Sequence, residues 1–172
     1  MRGALLAVAL LMAGSCGGSP ASPSPAGPVP TPRAVTLESG PYTLAITFSR
    51  TGSATCQNGI CFSISLCIGN PSDTTASFNV AVERSGDTAT VRVPGSASPL
   101  VLNLAVAPAS VTGTISGSAR DAQGVMVEIS GTVTGAAPSN AAYAVSGYVD
   151  GEMSVAGGSC SNNGHAWLLA PR

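Results

Sequence analysis

The sequence predicts an all-β domain, and three observations carry that prediction. Apolar residues recur at every second position over most of the chain after residue 34. No stretch there keeps the i, i+3, i+4 spacing of a helix. Clusters of Gly, Pro, Asn, Asp and Ser interrupt the alternation at short intervals, as turns do. The strands follow in order. Tyr42, Leu44, Ile46 and Phe48 alternate with small and polar residues, and Ile60, Phe62, Ile64, Leu66 and Ile68 do the same, predicting two strands. Phe78, Val80 and Val82 lead into Ser85-Gly86-Asp87 and out through Ala89, Val91 and Val93, a hairpin about a Gly-Asp turn. Leu100, Leu102, Leu104 and Val106 form the next strand, which Pro108 ends because proline cannot donate to a sheet ladder.

The second half carries a short repeat: TGTISG at 112–117, SGTVTG at 130–135 and SGYVDG at 146–151. These intervals suit a strand and its hairpin partner and are too short for solenoid or propeller units. Alternation places Val111, Gly113, Ile115 and Gly117 on one face of the first unit. Val125, Val127, Ile129, Gly131 and Val133 share a face in the second, and Tyr143, Val145, Gly147 and Val149 in the third. Glycines on an apolar face relieve crowding where a sheet coils tightly. A last strand, 164–170, puts His165, Trp167 and Leu169 on one side. About ten short strands joined mostly by short links predict an antiparallel meander closed into a small barrel spanning 34–172, with a β-sandwich as the alternative. The layout resembles the lipocalin and calycin barrels in architecture. Lipocalins carry Gly-x-Trp in the first strand, whereas Trp167 is in the last, so no lipocalin ligand contacts transfer.

The N-terminus reads as an export signal. Arg2 precedes an apolar run from Gly3 to Ala13, about half the roughly 20 residues a membrane-spanning helix needs, and small residues follow before Cys16. Residues 1–15 are therefore expected to be a cleaved leader. Ala13-Gly14-Ser15-Cys16 resembles the lipobox of bacterial lipoproteins, with Ala13 where Leu is usual, and the resemblance implies that Cys16 is lipidated. Gly17 after that cysteine, in place of Asp, implies export to the outer membrane of a diderm cell, facing periplasm or cell surface. Residues 17–33, GGSPASPSPAGPVPTPR, form a proline-rich tether that at about 3.1 Å per residue reaches roughly 50 Å.

The remaining cysteines, Cys56, Cys61, Cys67 and Cys160, are even in number in a chain expected to leave the reducing cytoplasm, which predicts two disulfides. Three connectivities are open. If 60–68 is one strand, Cys61 and Cys67 lie about 20 Å apart and cannot join, and barrel closure would bring Cys160 near Cys56 and Cys61. A zinc site of three of these thiols with His165 is the sharper alternative, but the paired C-x2-C spacing is missing.

Catalysis finds little support. The sole histidine is His165, no G-x-S-x-G elbow is present, and Asp150 and Glu152 read as solvated residues at a hairpin tip. His165 is expected to hydrogen-bond within the 160–164 loop, and Trp167 and Tyr143 to fill the core or line a ligand cavity. The segment Cys160-Ser-Asn-Asn-Gly-His165-Ala-Trp167 resembles the C-terminal strand of uncharacterised bacterial lipoproteins, a family that supplies no known activity. Seven Arg, no Lys and a net charge of −1 leave no clustered positive field for nucleic acid. The expectation is a non-enzymatic binding or accessory module without a cofactor. It would meet the membrane through its lipid anchor and bind a small apolar ligand or another envelope protein. A structural or assembly role, and a hydrolase, are the alternatives.

Overall fold

The computed structural model describes residues 33–52, 55–57, 60–62, 65–69, 74–94, 99–139 and 142–172. The leader, Cys16 and the tether up to residue 32 lie outside the described residues. Eleven strands are described: β1 Gly40–Phe48, β2 Thr55–Gln57, β3 Ile60–Phe62, β4 Leu66–Gly69, β5 Thr74–Ser85, β6 Thr88–Arg92, β7 Val101–Val106, β8 Val111–Arg120, β9 Met126–Ala136, β10 Val145–Val155 and β11 Gly158–Pro171. Eight of them pair antiparallel in the order β1-β5-β6-β7-β8-β9-β10-β11, and β1 returns to pair with β11, from Tyr42↔Pro171 to Thr47↔Ala166. The result is a closed eight-stranded barrel of lipocalin-like architecture. β4 is an additional strand, and β2 and β3 form a separate two-stranded ladder.

Alternation decides which side chains enter the barrel. Leu44, Ile46 and Phe48 from β1, Phe78, Val80 and Val82 from β5, Leu102 and Leu104 from β7, and Val127, Ile129 and Val133 from β9 are all buried. Thr112, Thr114, Ser130 and Thr132, one residue out of phase, face water. The hairpin at Ser85 to Thr88 turns through Gly86 at φ 58°, a left-handed conformation that glycine adopts without strain.

One end of the barrel holds the entry of β1 and the turns β5–β6, β7–β8 and β9–β10. There the segment before β1 closes the core from outside, with Val35 and Leu37 buried. The Val35 amide donates to the Pro108 carbonyl at 2.9 Å, and Arg84 donates through Nη1 to the Leu37 carbonyl at 2.8 Å. The opposite rim carries the end of β1, β4 and the turns β6–β7, β8–β9 and β10–β11.

The structure corrects five expectations. The predicted strand 60–68 is two strands with different partners, since β3 pairs with β2 while β4 pairs with β11. The chain therefore leaves the meander after β1 and rejoins it at β5. Cys160 sits beside Cys67 and not beside Cys56 or Cys61, because β4 takes the edge of β11 that β1 leaves vacant. The last strand begins six residues earlier than residue 164. Tyr143 precedes β10 and is half-buried, outside the regular inward pattern. Asp150 and Glu152 lie within β10, on its outer face, and not at a hairpin tip.

Candidate functional site

The densest polar chemistry of the described residues lies inside the β4 rim, and it begins with an extra residue in β11. The β10–β11 register runs from Val149↔His165 to Gly151↔Asn162, so three steps along β11 match two along β10. This bulge shifts the phase of β11. Cys160 and Asn162 point inward before it, and His165, Trp167 and Leu169 point inward after it.

Asn162 is buried, and its amide ties three chain segments together. Nδ2 donates to the Ser49 carbonyl at 2.9 Å and to Ser65 Oγ at 3.1 Å, and Oδ1 accepts the Gly164 amide at 2.7 Å. His165 is fully buried next to it. The Ser49 amide donates to Nδ1 at 3.1 Å. Because a backbone N–H can only donate, Nδ1 is unprotonated, and Nε2 carries the hydrogen it donates to the Cys160 carbonyl at 3.1 Å. The ring packs tilted against Phe48, with centroids 5.4 Å apart. The expected bond to the 160–164 segment is present, and the Ser49 partner, 116 residues away, joins it.

Burial lowers the pKa of His165 below the usual 6.5, opposed by the Cys160 carbonyl, which favours a protonated ring. The folded state thus holds a neutral imidazole, while the unfolded chain binds a proton near pH 6.5. The stability that this difference supplies is complete above pH 6.5 and is lost as pH falls from there through the lowered folded-state value. The expected slope in that window is at most about 1.4 kcal/mol per pH unit. Urea unfolding between pH 7.5 and 5 should show it, and His165→Gln should flatten it. An equal slope in that variant would assign the effect elsewhere.

Trp167 is core filler with a specific seat. Its Cα partner on β10 is Gly147, which in turn pairs with Gly135 on β9. The indole reaches over both glycines, and Nε1 donates to the Thr134 carbonyl at 3.1 Å. A Cβ at Gly147 would collide with that same oxygen, and one at Gly135 would lie 3.0 Å from the ring carbon Cζ2. Here the inward glycines hold no empty space, because they make the seat that Trp167 occupies.

The disulfide Cys67–Cys160 closes the rim. Its half-cystines are direct cross-strand partners with Cα atoms 4.1 Å apart, and they lie 93 positions apart in sequence. Cys56 and Cys61 are Cα partners in the β2–β3 ladder. Among the described residues no group of three or more His, Cys, Asp or Glu side chains gathers as a metal site would require.

Outside the barrel, two apolar features stand out. Leu66 and Ile68, on either side of Cys67 in β4, are each 70% exposed. β4 has β11 on one side and, among the described residues, no strand on the other. A depression of about 260 Å³ on the outer face of β1, β11 and β10 is lined by Ala45, Ala166, Leu168 and Tyr148, the last 56% exposed. Tyr148 is one residue out of phase with Gly147 and Val149, so period-two alternation accounts for its outward position. Leu66 and Ile68 continue the apolar series of Ile60, Phe62 and Ile64 in sequence, yet both are exposed. Compared with protein-family models, with curated proteins and with solved structures, the chain matches none.

Proposed function

We propose that this chain is a lipid-anchored, disulfide-stabilised barrel of the bacterial cell envelope that works without catalysis, as an accessory module binding another envelope protein along β4. The observation that carries this reading is the exposure of Leu66 and Ile68 on a strand whose outer edge pairs with no strand among the described residues and whose position Cys67–Cys160 fixes. An open edge offers backbone donors and acceptors to an extended segment, and two large apolar side chains beside it offer contact area. A partner is favoured over an interior ligand because the inward positions are occupied by packed side chains and the buried polar groups Asn162 and His165 bond to backbone. The envelope address rests on the apolar leader, the Ala13-Gly14-Ser15-Cys16 segment and the proline-rich tether. The depression beside Tyr148 supports a second reading, in which a small apolar ligand lies on the outer face.

The test is site-specific photo-crosslinking in cells. A benzophenone side chain at position 66 should yield a defined protein adduct that the same group at exposed Thr114, on the polar face, does not. Adding Ile68→Lys to the position-66 probe should remove the adduct while the far-ultraviolet spectrum and melting temperature hold. Equal labelling from 66 and 114 would sink the partner reading. Mass spectrometry of the same purified protein should find acyl chains on Cys16, and an unmodified Cys16 would sink the anchor.

A further inference from the structure

We infer that Cys56 and Cys61 form a second disulfide, across the β2–β3 hairpin and independent of the one that closes the barrel. The inference rests on the export reading above, since thiols retained in a reducing compartment would stay free. The register pairs Thr55↔Phe62, Cys56↔Cys61 and Gln57↔Ile60, which leaves only Asn58 and Gly59 between the strands. Asn-Gly is the pair that favours a two-residue type I′ hairpin turn. In such a hairpin the residues flanking the turn, Gln57 and Ile60, exchange both backbone hydrogen bonds. The next pair outward, Cys56 and Cys61, is then the non-hydrogen-bonded pair, whose Cα atoms approach to about 4.5 Å. That separation lies at the near end of the range a disulfide spans. The molecule already uses this arrangement, because Cys67 and Cys160 are also direct antiparallel partners, with Cα atoms 4.1 Å apart, and are bonded. With those two committed to each other, Cys56 and Cys61 are left to pair.

The bond forms by thiol–disulfide exchange with an oxidised dithiol carrier of the envelope. The Cys56 thiolate attacks a carrier sulfur and releases the carrier's other sulfur as a thiolate. The Cys61 thiolate then attacks the mixed disulfide at Cys56, expelling the second carrier thiolate. Two protons and two electrons leave the hairpin, and the carrier ends as a dithiol.

The two cross-links do different work. Cys67–Cys160 joins parts of the chain 93 residues apart and constrains the unfolded state strongly. Cys56–Cys61 closes a loop of only six residues, for which the same chain-entropy account gives about 2 kcal/mol, roughly half the contribution of the longer cross-link, and it fixes the local shape of the β2–β3 hairpin.

Peptide mapping of the exported, full-length protein decides the matter. The unreduced protein is alkylated with iodoacetamide and cut with trypsin and chymotrypsin, which cleave after Arg50 and after Phe62. Peptide 51–62 should be unalkylated and lighter by two hydrogen masses than its reduced form, and the Cys67 peptide should be linked to the Cys160 peptide. Cys56→Ser with Cys61→Ser should lower the melting temperature by less than the loss of Cys67–Cys160 does and leave no alkylatable thiol. Alkylation of Cys56 or Cys61 with the barrel cross-link intact would overturn the hairpin disulfide and leave export standing. Four alkylated thiols would overturn both, and a link from 51–62 to Cys67 or Cys160 would overturn the pairing alone.

Discussion

Trp167→Ala should destabilise the barrel by about 3–5 kcal/mol, the range for truncating a large buried aromatic side chain. The site has little room to collapse, because the ring is flanked by backbone on β9 and β10, and no side chain projects from Gly147 or Gly135 to fill the void. Three further variants separate the contributions in urea unfolding. Trp167→Phe keeps most of the apolar area but removes the Nε1 donor and leaves the Thr134 carbonyl without it, for a loss of about 1–3 kcal/mol. Gly135→Ala forces a methyl against the indole, and part of its cost should disappear in the Trp167→Ala background, where the ring is gone. Additive costs for Gly135 and Trp167 would mean that the ring does not depend on the glycine seat.

Breaking Cys67–Cys160 should cost about 4–5 kcal/mol. The bond spans 93 residues, and in the chain-entropy account the loss grows with the logarithm of the loop it closes. The measurement is equilibrium unfolding of the Cys67→Ser, Cys160→Ser double variant against the oxidised parent. The denaturant slope should rise as well, since the unfolded chain without its longest cross-link exposes more surface. Stability within about 1 kcal/mol of the parent would mean that β4 and Asn162 hold the rim without the bond. Serine at position 160 sits at a fully buried place and adds its own cost, so reduction of the parent with a phosphine is the companion measurement.

The barrel was legible because its signal is local. Period two fixes which residues face inward without any knowledge of partners, and Leu100, Leu102, Leu104 and Val106 are all buried as their spacing requires. What the pattern could not convey is where one strand stops and another begins when the alternation runs on unbroken. From Ile60 to Ile68 the period never falters, yet the first part pairs with β2 and the last with β11. Pairing choice depends on chain closure over nearly 100 residues, which leaves no trace in nine.

The rim cluster was half legible. His165 and Trp167 stood out by type and spacing, whereas Asn162 did not, because a buried asparagine is recognisable only by what it bonds to. The Asn163-Gly164 pair inside an apolar pattern was the available hint, since a glycine interrupting a strand often marks a bulge. The Ser49 backbone, which serves both Asn162 and His165, has no side-chain signature at all.

The extra residue in β11 also sets how the chain tolerates changes in length. Removing one residue between Asn162 and His165 would restore uniform alternation and thereby force one half of the strand to face the wrong way: either Cys160 and Asn162 would swing out, or His165, Trp167 and Leu169 would. A codon lost there scrambles the interior.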